Sequence, residues 1–327
     1  MMDRRRFLGA SAGLCALDGV APTARAELIA RTARLLVGFP PGGSIDTVAR
    51  LLVDQMKGYG ASMIVDSRPG AGGRTALEAL RTSDADGSVF VLTPGDQITL
   101  FPHIYKQLSY APLRDFAPVT TVCTVQFLLT VGPMVPPTIT TLAGFIEWCR
   151  ANPKLATFGS PGAGSRPHFI GAMLAQAAGF DFLHAPYRGA PPAVQDLLGG
   201  QIPAAVFVVS NTLPHVQSGA LRALATTAPQ RSPLLPQVPT MREAGYPALE
   251  GVEWFGVFVP AATPAETVAS LNGAVRRALA TDSVKAGLAQ QSFDVAGSSA
   301  SELAQLMRSD AERWSELVKS TGFRPID

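Results

Sequence analysis

Short apolar runs alternate with segments of helical periodicity along most of this chain, and this alternation constrains the fold more than any other feature. The run RLLVGF precedes residues 44–56, whose apolar side chains recur every three or four positions, as on one face of a helix. Two further strand candidates, MIVDSR and SVFVLTPG, flank a second helical segment in GAGGRTALEALRTS. Repeated strand–helix–strand units predict an α/β fold in which helices cover both faces of a parallel β-sheet.

Two long apolar runs divide this pattern into blocks. VTTVCTVQFLLTVG, residues 119–132, is too long and too rich in β-branched residues for one ordinary strand, and VEWFGVFVP is a second long run. Between them the alternation restarts. We therefore predict two lobes: residues 27–127 and 253–327 form the first, and residues 128–252 form a second lobe inserted into it. The two crossover strands would act as a hinge that lets the cleft between the lobes close on a ligand.

The first 26 residues, MMDRRRFLGASAGLCALDGVAPTARA, have the layout of an export signal. A basic start is followed by a short apolar stretch and by the A-x-A pattern of a cleavage site, Ala24-Arg25-Ala26. The arginines before Phe7 and Leu8 are typical of the twin-arginine type of signal. A membrane anchor or a disordered tail is the alternative interpretation. The export signal predicts cleavage near Ala26 and a periplasmic protein.

The charge balance argues against a nucleic-acid partner. Four of the 27 basic and two of the 25 acidic residues lie in residues 1–26, so the remainder carries 23 of each and no net charge. Nucleic-acid binding requires a basic surface, which a neutral chain does not supply. The remainder keeps two cysteines, Cys123 and Cys149. An exported protein could pair them, but buried free thiols are the interpretation we favour.

Two glycine-rich loops share one pattern, FPPGGSID and FGSPGAGSRPH. Each follows a predicted strand and opens a predicted helix, with Ser44 or Ser165 at the helix N-cap. A helix start offers unpaired backbone N–H groups and the positive end of the helix dipole, which together bind anions. The alternative is that these glycines only make strand–helix turns. Because one such loop falls in each predicted lobe, we favour an anion site between them.

The second loop nearly matches a nucleotide-phosphate loop, since Gly159 and Gly164 have the right separation. The lysine that would reach the terminal phosphates is missing, and Ser165 stands in its place. PGAGGRT is not a dinucleotide fingerprint, because its glycine spacing differs. Two helix starts without a lysine suit a carboxylate better than a polyphosphate.

The sequence contains no pattern for catalysis. Outside the predicted export signal it has no G-x-S-x-G turn for a serine nucleophile, and its four histidines are scattered without metal-ligand spacing. We interpret His168 as a residue that caps or braces the second loop, and Arg166 as solvent-exposed. No catalytic residue, metal or cofactor is predicted.

Several longer motifs, in order along the chain, resemble the periplasmic substrate-binding proteins of the tripartite tricarboxylate transporter family, also called Bug-type receptors. They are FPPGGSIDTVARLL, RPGAGGRTALEAL, DFAPVTTV, FGSPGAGS, PYRGAPPAVQDLLGGQI, LPHVQSGALRALATT, RSPLLPQVPTMREAGYP and WFGVFVPAATP. The resemblance implies a two-lobed type II periplasmic binding fold of the Venus-flytrap kind. It also implies a monomer that binds a small organic carboxylate without catalysis and delivers it to membrane permease subunits. A ligand-sensing subunit for a membrane sensor, or an enzyme on the same scaffold, is the alternative.

The resemblance also implies where the ligand binds. Backbone amides of two loops, one from each lobe, would hold a carboxylate, and side chains deeper in the cleft would select the ligand. The loop residues are Pro41, Gly42, Gly43 and Ser44 in the first lobe, and Ser160, Gly162, Ala163, Gly164 and Ser165 in the second. The selecting residues are Thr93, Asp96, Tyr187, Arg188 and Phe207.

The chain departs from the family pattern at two positions. Phe207, in IPAAVFVVSN, stands where many relatives carry an aspartate that would meet the ammonium group of an amino acid. An amino-acid ligand is therefore less favoured. Two interpretations of Phe207, Val208 and Val209 stay open: they line the cleft beside an apolar ligand body, or they belong to the hydrophobic core. Arg74 stands where a small or amide residue is common, and its role is left open.

Overall fold

The computed structural model describes residues 29–320 and 323. The predicted export signal, residues 1–26, lies outside the described residues. Within residues 29–320 the chain forms eleven strands and twelve α-helices. The strands are β1 Ile29–Val37, β2 Gly60–Ser67, β3 Val89–Pro94, β4 Phe116–Val125, β5 Phe127–Val131, β6 Thr157–Ser160, β7 Leu183–Pro186, β8 Ala204–Val208, β9 Arg222–Thr226, β10 Glu253–Pro260 and β11 Asp294–Val295. The helices are α1 Ser44–Gln55, α2 Arg74–Arg81, α3 Asp96–Thr99, α4 Phe101–Ile104, α5 Pro112–Asp115, α6 Leu142–Ala151, α7 Arg166–Ala178, α8 Ala190–Leu198, α9 Val209–Gln217, α10 Ala265–Ala280, α11 Asp282–Gln290 and α12 Ala300–Ser320.

The strands form two separate sheets. The first sheet has the order β11-β4-β10-β3-β1-β2, and the second has the order β7-β6-β8-β5-β9. In the first, β1 runs parallel to β2 and β3, while β10 runs antiparallel to β3 and β4. In the second, β6 runs parallel to β7 and β8, while β5 runs antiparallel to β8 and β9. Both sheets are therefore mixed and not wholly parallel as predicted, because the strands at which the chain enters or leaves a sheet run antiparallel to their neighbours.

The long run at residues 119–132 connects the two sheets. It divides at Gln126, so that β4 ends in the first sheet and β5 begins in the second. The Gln126 carbonyl accepts a 2.9 Å bond from the Val209 N–H, and its side-chain amide donates to Ser292 Oγ at 2.8 Å. The chain returns through residues 227–252, where the Thr227 N–H bonds the Phe127 carbonyl at 3.0 Å. The backbone thus crosses between the sheets twice, at neighbouring places.

Apolar side chains from both sheets and their helices pack into a core. The inward face of α1 shows how the sequence pattern achieves this, because Ile45, Val48, Ala49 and Leu52 are all buried. Cys123 and Cys149 are buried as well and are free thiols, as expected. Burial raises the pKa of the Cys149 thiol to about 12, so it is unreactive at neutral pH.

Candidate functional site

A cavity of about 60 Å³, which we call the inner cavity, lies between the two sheets. Three helices of nine or more residues begin at it: α1 at Gly43 and Ser44, α7 at Ser165, and α8 at Ala190. It is lined by Phe39, Pro40, Gly43, Ser44, Ile45, Gly72, Pro94, Asp96, Gln97, Phe101, Phe127, Pro161, Ser165, Pro167, Ala190, Pro191, Val208, Asn211, Glu253 and Phe255. A cavity at which several helices begin is well suited to an anionic group.

Several backbone donors at these helix starts remain available. Among the described residues, the N–H groups of Ser44, Ile45 and Ala190 have no protein acceptor. The first N–H groups of a helix have no partner within the helix itself, so they bind a capping side chain, water or a ligand. The N-cap of α1 is Gly43 and not Ser44, so that expectation was wrong, and glycine has no side chain to supply a cap. The donors of α1 and α8 can therefore bind a ligand oxygen.

The α1 loop is held in shape by Asp46. Its carboxylate accepts a 3.0 Å bond from the Gly42 N–H and a bidentate pair from Arg50 at 2.9 and 3.0 Å. Burial opposes ionisation of Asp46, but these bonds outweigh it and lower its pKa. Asp46 thus stays charged and orders the loop without filling the inner cavity.

The remaining wall of the inner cavity is mostly apolar. Four phenylalanines line it: Phe127 and Phe255 from the two sheets, Phe39 from the loop after β1, and Phe101 from α4. Ligand sites commonly combine such apolar walls with a few polar groups that fix orientation. The walls favour a ligand with a hydrocarbon or aromatic body.

Arg166 is buried against Asp96, a residue of the cavity wall, and our expectation of an exposed arginine was wrong. Its backbone N–H bonds Asp96 Oδ2 at 2.6 Å and its Nε bonds Asp96 Oδ1 at 3.2 Å. Its Nη1 donates to the Val252 carbonyl at 2.9 Å. Only 7% of its side chain and 5% of that of Asp96 is exposed. The pair joins α7 on one side of the cleft to α3 on the other.

Glu253 shares this buried cluster. Its Oε1 accepts the Asp96 N–H at 3.1 Å. Burial, and then the neighbouring Asp96 carboxylate, raise the pKa of Glu253 well above its usual value, although Arg166 opposes the shift. Its surroundings therefore favour the neutral form of Glu253 more than water does. Asp96 lines the cavity and is paired with Arg166, so its negative charge is balanced beside an anionic ligand.

The two sides of the cleft also touch near its mouth. The Tyr105 hydroxyl donates to the Ala163 carbonyl at 2.9 Å. A Cβ added at Gly162 would lie 3.5 Å from the Cα of Gly72, and one added at Gly189 would lie 2.8 Å from Cδ of Pro40. The absence of side chains at these glycines therefore allows the close approach of the two sides.

A second space of about 360 Å³, the outer cavity, adjoins the inner one at this mouth. Phe39, Pro40, Gly72 and Pro161 line both. The other residues of the outer cavity are Gly38, Gly70, Ala71, Gly73, Arg74, Tyr105, Gly162, Ala163, Pro186, Tyr187, Arg188 and Gly189.

Two stacked histidines hydrogen-bond to residues of the second loop. The rings of His168 and His184 lie 3.7 Å apart and nearly parallel. His168 Nδ1 accepts the Gly164 N–H at 3.1 Å, and His184 Nε2 lies 2.7 Å from the Ser160 hydroxyl. Burial lowers the pKa of His168 to about 4, and burial together with His168 lowers that of His184 to about 3. His168 therefore braces the loop as a neutral acceptor, as expected.

Residues 48–323 match the model of the tripartite tricarboxylate transporter family receptor. The chain belongs to this family. BugT of Bordetella pertussis is 32% identical over 99% of both chains. The structure of R. palustris Rpa4515 with adipate is 30% identical and covers 90% of this chain and 98% of its own, with a TM-score of 0.84. The structure of MatC from Rhodopseudomonas palustris with bound malate is 29% identical and covers 88% of this chain and 98% of its own, with a TM-score of 0.82.

These matches confirm the resemblance deduced from the motifs and the two-lobed α/β fold of a periplasmic binding protein. The family is one of solute-binding receptors. No helix within residues 29–320 is both long and apolar enough to cross a membrane. In the same part of the chain, no three His, Cys, Asp or Glu side chains lie together so as to hold a metal ion.

The receptor brings eight of the residues singled out from the sequence to the two cavities. Gly43, Ser44, Asp96 and Ser165 line the inner cavity, and Gly162, Ala163, Tyr187 and Arg188 line the outer cavity. The Ser165 hydroxyl donates to the Gly162 carbonyl at 2.7 Å rather than capping α7.

The other six line neither cavity. Pro41 and Gly42 are exposed beside the α1 loop. Ser160 and Gly164 belong to the second loop, and each hydrogen-bonds to one of the two histidines. Thr93 and Phe207 complete the set: the Thr93 hydroxyl bonds Gln97, and the Phe207 ring packs with residues of α8. Neighbouring strand residues face opposite sides of a sheet, so Val208 lines the inner cavity and Phe207 does not.

Three polar residues of the inner cavity escaped the sequence analysis: Gln97, Asn211 and Glu253. Glu253 had a signal, because it is the one charged residue in the run VEWFGVFVP. The start of α8 was missed too. PYRGAPP repeats the pattern of the two recognised loops, a strand followed by glycine and a helix, and it could have been found in the same way.

Proposed function

We propose that this chain is a periplasmic receptor that captures a small organic carboxylate between its two lobes for a tripartite tricarboxylate transporter. The observation that carries this proposal is the set of unpaired N–H groups at the starts of α1 and α8, which face an apolar cavity. Hydrogen bonds to a charged acceptor contribute about 1.5–3 kcal/mol each. Three such bonds would hold a carboxylate without an arginine in the inner cavity.

The named ligands of two relatives support the carboxylate class. One structure contains adipate and the other contains malate, and both proteins cover most of this chain at about 30% identity. Both ligands are small organic acids. The apolar inner wall here favours an acid with a hydrocarbon or aromatic body over an amino acid.

The proposal includes an organisation of the chain. Residues 27–127 and 253–327 form one lobe, residues 128–252 form the other, and residues 1–26 are removed on export. The receptor acts as a monomer in the periplasm and passes its ligand to membrane permease subunits. N-terminal sequencing of protein recovered from the periplasm tests the export step, and an uncleaved or cytoplasmic product would contradict it.

We infer binding without catalysis. Two hydroxyl groups, those of Ser44 and Ser165, line the inner cavity, and no histidine, lysine or cysteine is among the lining residues. Of the two carboxyl groups there, Asp96 is bound to Arg166, and Glu253 bonds the Asp96 amide. A nucleophile needs an adjacent base to act at neutral pH, and none faces either serine.

Thermal-shift screening of small carboxylates, each beside its own neutral amide, tests the proposed function. An acid at 100 times its Kd should add about 2.7 kcal/mol to the free energy of unfolding. The amide should add little, because the unpaired N–H groups would face a neutral acceptor. Mass spectrometry after prolonged incubation should recover the acid unchanged. Equal stabilisation by acid and amide, or protein-dependent conversion of the acid, would contradict the proposal.

A further inference from the structure

Two arginines at the outer cavity have no anionic partner among the described residues. The Arg74 guanidinium lies 4.0 Å from the centre of the Tyr105 ring, and its Nε donates to the Ala71 carbonyl at 2.9 Å. Neither Arg74 nor Arg188 forms an ion pair with a carboxylate of the described chain. Both line the outer cavity, Arg74 from the side of α2 and Arg188 from the turn before α8.

The outer cavity therefore carries an uncompensated positive charge. No aspartate or glutamate is among its lining residues. Two acidic residues of the helices that begin at Arg74 and just after Arg188 have other partners: Asp196 accepts the Tyr187 hydroxyl at 2.7 Å, and Glu78 accepts the Ser109 hydroxyl. The inner cavity differs, because no arginine is among the described residues that line it and its Asp96 is paired with the buried Arg166. A ligand that reaches from the inner to the outer cavity would meet two cations at its far end.

Arg74 is held in place. Stacking of a guanidinium on an aromatic ring fixes the plane of its donors. The ring that holds it, Tyr105, bonds the Ala163 carbonyl across the cleft, so the position of Arg74 is tied to the contact between the lobes. Its Nη groups have no acceptor in the described chain. A planar set of free donors matches a carboxylate in a bidentate arrangement.

We propose that Arg74 and Arg188 form a second anion subsite, one arginine from each side of the cleft, and that the ligand is a dicarboxylate. This inference rests on the proposed function, in which the first carboxylate meets the helix starts of the inner cavity. The second carboxylate lies between the two guanidinium groups in the outer cavity. The aromatic rings of the inner cavity cover the hydrocarbon spacer, which passes from one space to the other beside Phe39 and Pro40, residues that line both.

Calorimetry with matched acids tests this inference. The panel contains linear diacids of four to eight carbons and terephthalate, each beside its monomethyl ester and the corresponding monoacid. In the wild-type protein the tightest ligand should be a diacid, and esterification of one end should weaken it by roughly a hundredfold or more, since two charge-assisted contacts are lost. A monoacid or half-ester that binds as tightly as its diacid would overturn the inference while leaving the carboxylate receptor intact. No binding by any acid would overturn both.

Arginine variants assign the effect to these residues. Arg74→Gln and Arg188→Gln should each weaken the best diacid by roughly ten- to a hundredfold and leave its half-ester nearly unchanged. Arg74→Lys should fall between Gln and wild type, because it keeps the charge but loses the planar donors. Arg81→Gln is the matched control, since Arg81 is an exposed residue of the same helix that does not line the cavity. Equal loss for the diacid and the half-ester, or no loss in either Gln variant, would refute the subsite.

Discussion

Replacing Arg166 with methionine would test the buried charge cluster that joins the two sides of the cleft. Methionine keeps a long apolar side chain but removes the Nε bond to Asp96 and the Nη1 bond to the Val252 carbonyl. It also removes the guanidinium that lies 4.8 Å from the centre of the Trp314 ring and 3.8 Å from the carboxylate of Asp310. Asp96 would then be buried without its cation.

The expected cost follows from that burial. Removing one partner of a buried ion pair destabilises a protein by about 3–5 kcal/mol, because the remaining charge is neither solvated nor paired. Asp310 retains Arg313, whose Nη2 lies 2.6 Å from its carboxylate, so the loss should come mainly from Asp96. The double variant Arg166→Met/Asp96→Leu should recover part of the loss, since neither charge is then buried alone.

Urea denaturation at pH 7 measures this cost. Arg231→Met is the matched control, because Arg231 forms an ion pair with Glu243 in which both side chains are nearly half exposed. Exposed pairs contribute little, so the control should lose a small fraction of what Arg166→Met loses. Equal costs for the two variants would refute the argument that Arg166 is a buried interlobe contact.

Three further outcomes are expected. Gly43→Val should weaken carboxylate binding at least tenfold by calorimetry with little change in stability, because its Cβ would meet only the Pro40 carbonyl oxygen, at 3.5 Å; normal binding would remove the α1 loop from the site. Gly189→Ala should keep the lobes apart and raise the radius of gyration of the ligand-bound protein in X-ray scattering, because its Cβ would clash with Pro40. Gly219→Ala is the control, since Gly219 has a similarly positive φ but a Cβ there would have no neighbour within 4 Å. Acid should destabilise the protein partly through His168, whose pKa is about 4 in the folded protein and near 6.5 in the unfolded chain. Between these values the unfolded chain binds more protons than the folded protein. The stability present above pH 6.5 therefore falls as the pH drops towards 4. His168→Gln cannot take up that proton and should make the fall in urea midpoints shallower, and an unchanged fall would contradict the assignment.

The division of the chain between two sheets was predictable from local sequence. The run at residues 119–132 is longer than a strand needs to be, and the structure divides it at Gln126 between the two sheets. The start of α1 was equally readable, because glycine followed by Ser44 and an apolar repeat marks a helix beginning after a strand. Both signals lie within a few residues of the feature that they specify.

The contents of the site depended on residues far apart in sequence. Arg166 is buried because Asp96, 70 positions earlier, accepts its bonds, and no local pattern reveals such a partner. The structure places Val208 and not Phe207 at the inner cavity for a different reason. Alternation along a strand gives two faces, but which face meets the cleft depends on how β8 pairs with β5 and β6.

A crystal structure of the receptor with its tightest carboxylate would test the central claim most directly. We expect one carboxylate of the ligand within hydrogen-bond distance of the backbone N–H groups of Ser44 and Ala190, with the body of the ligand against the aromatic wall of the inner cavity. A carboxylate bound elsewhere, or a ligand whose acid group points away from these helix starts, would contradict the account.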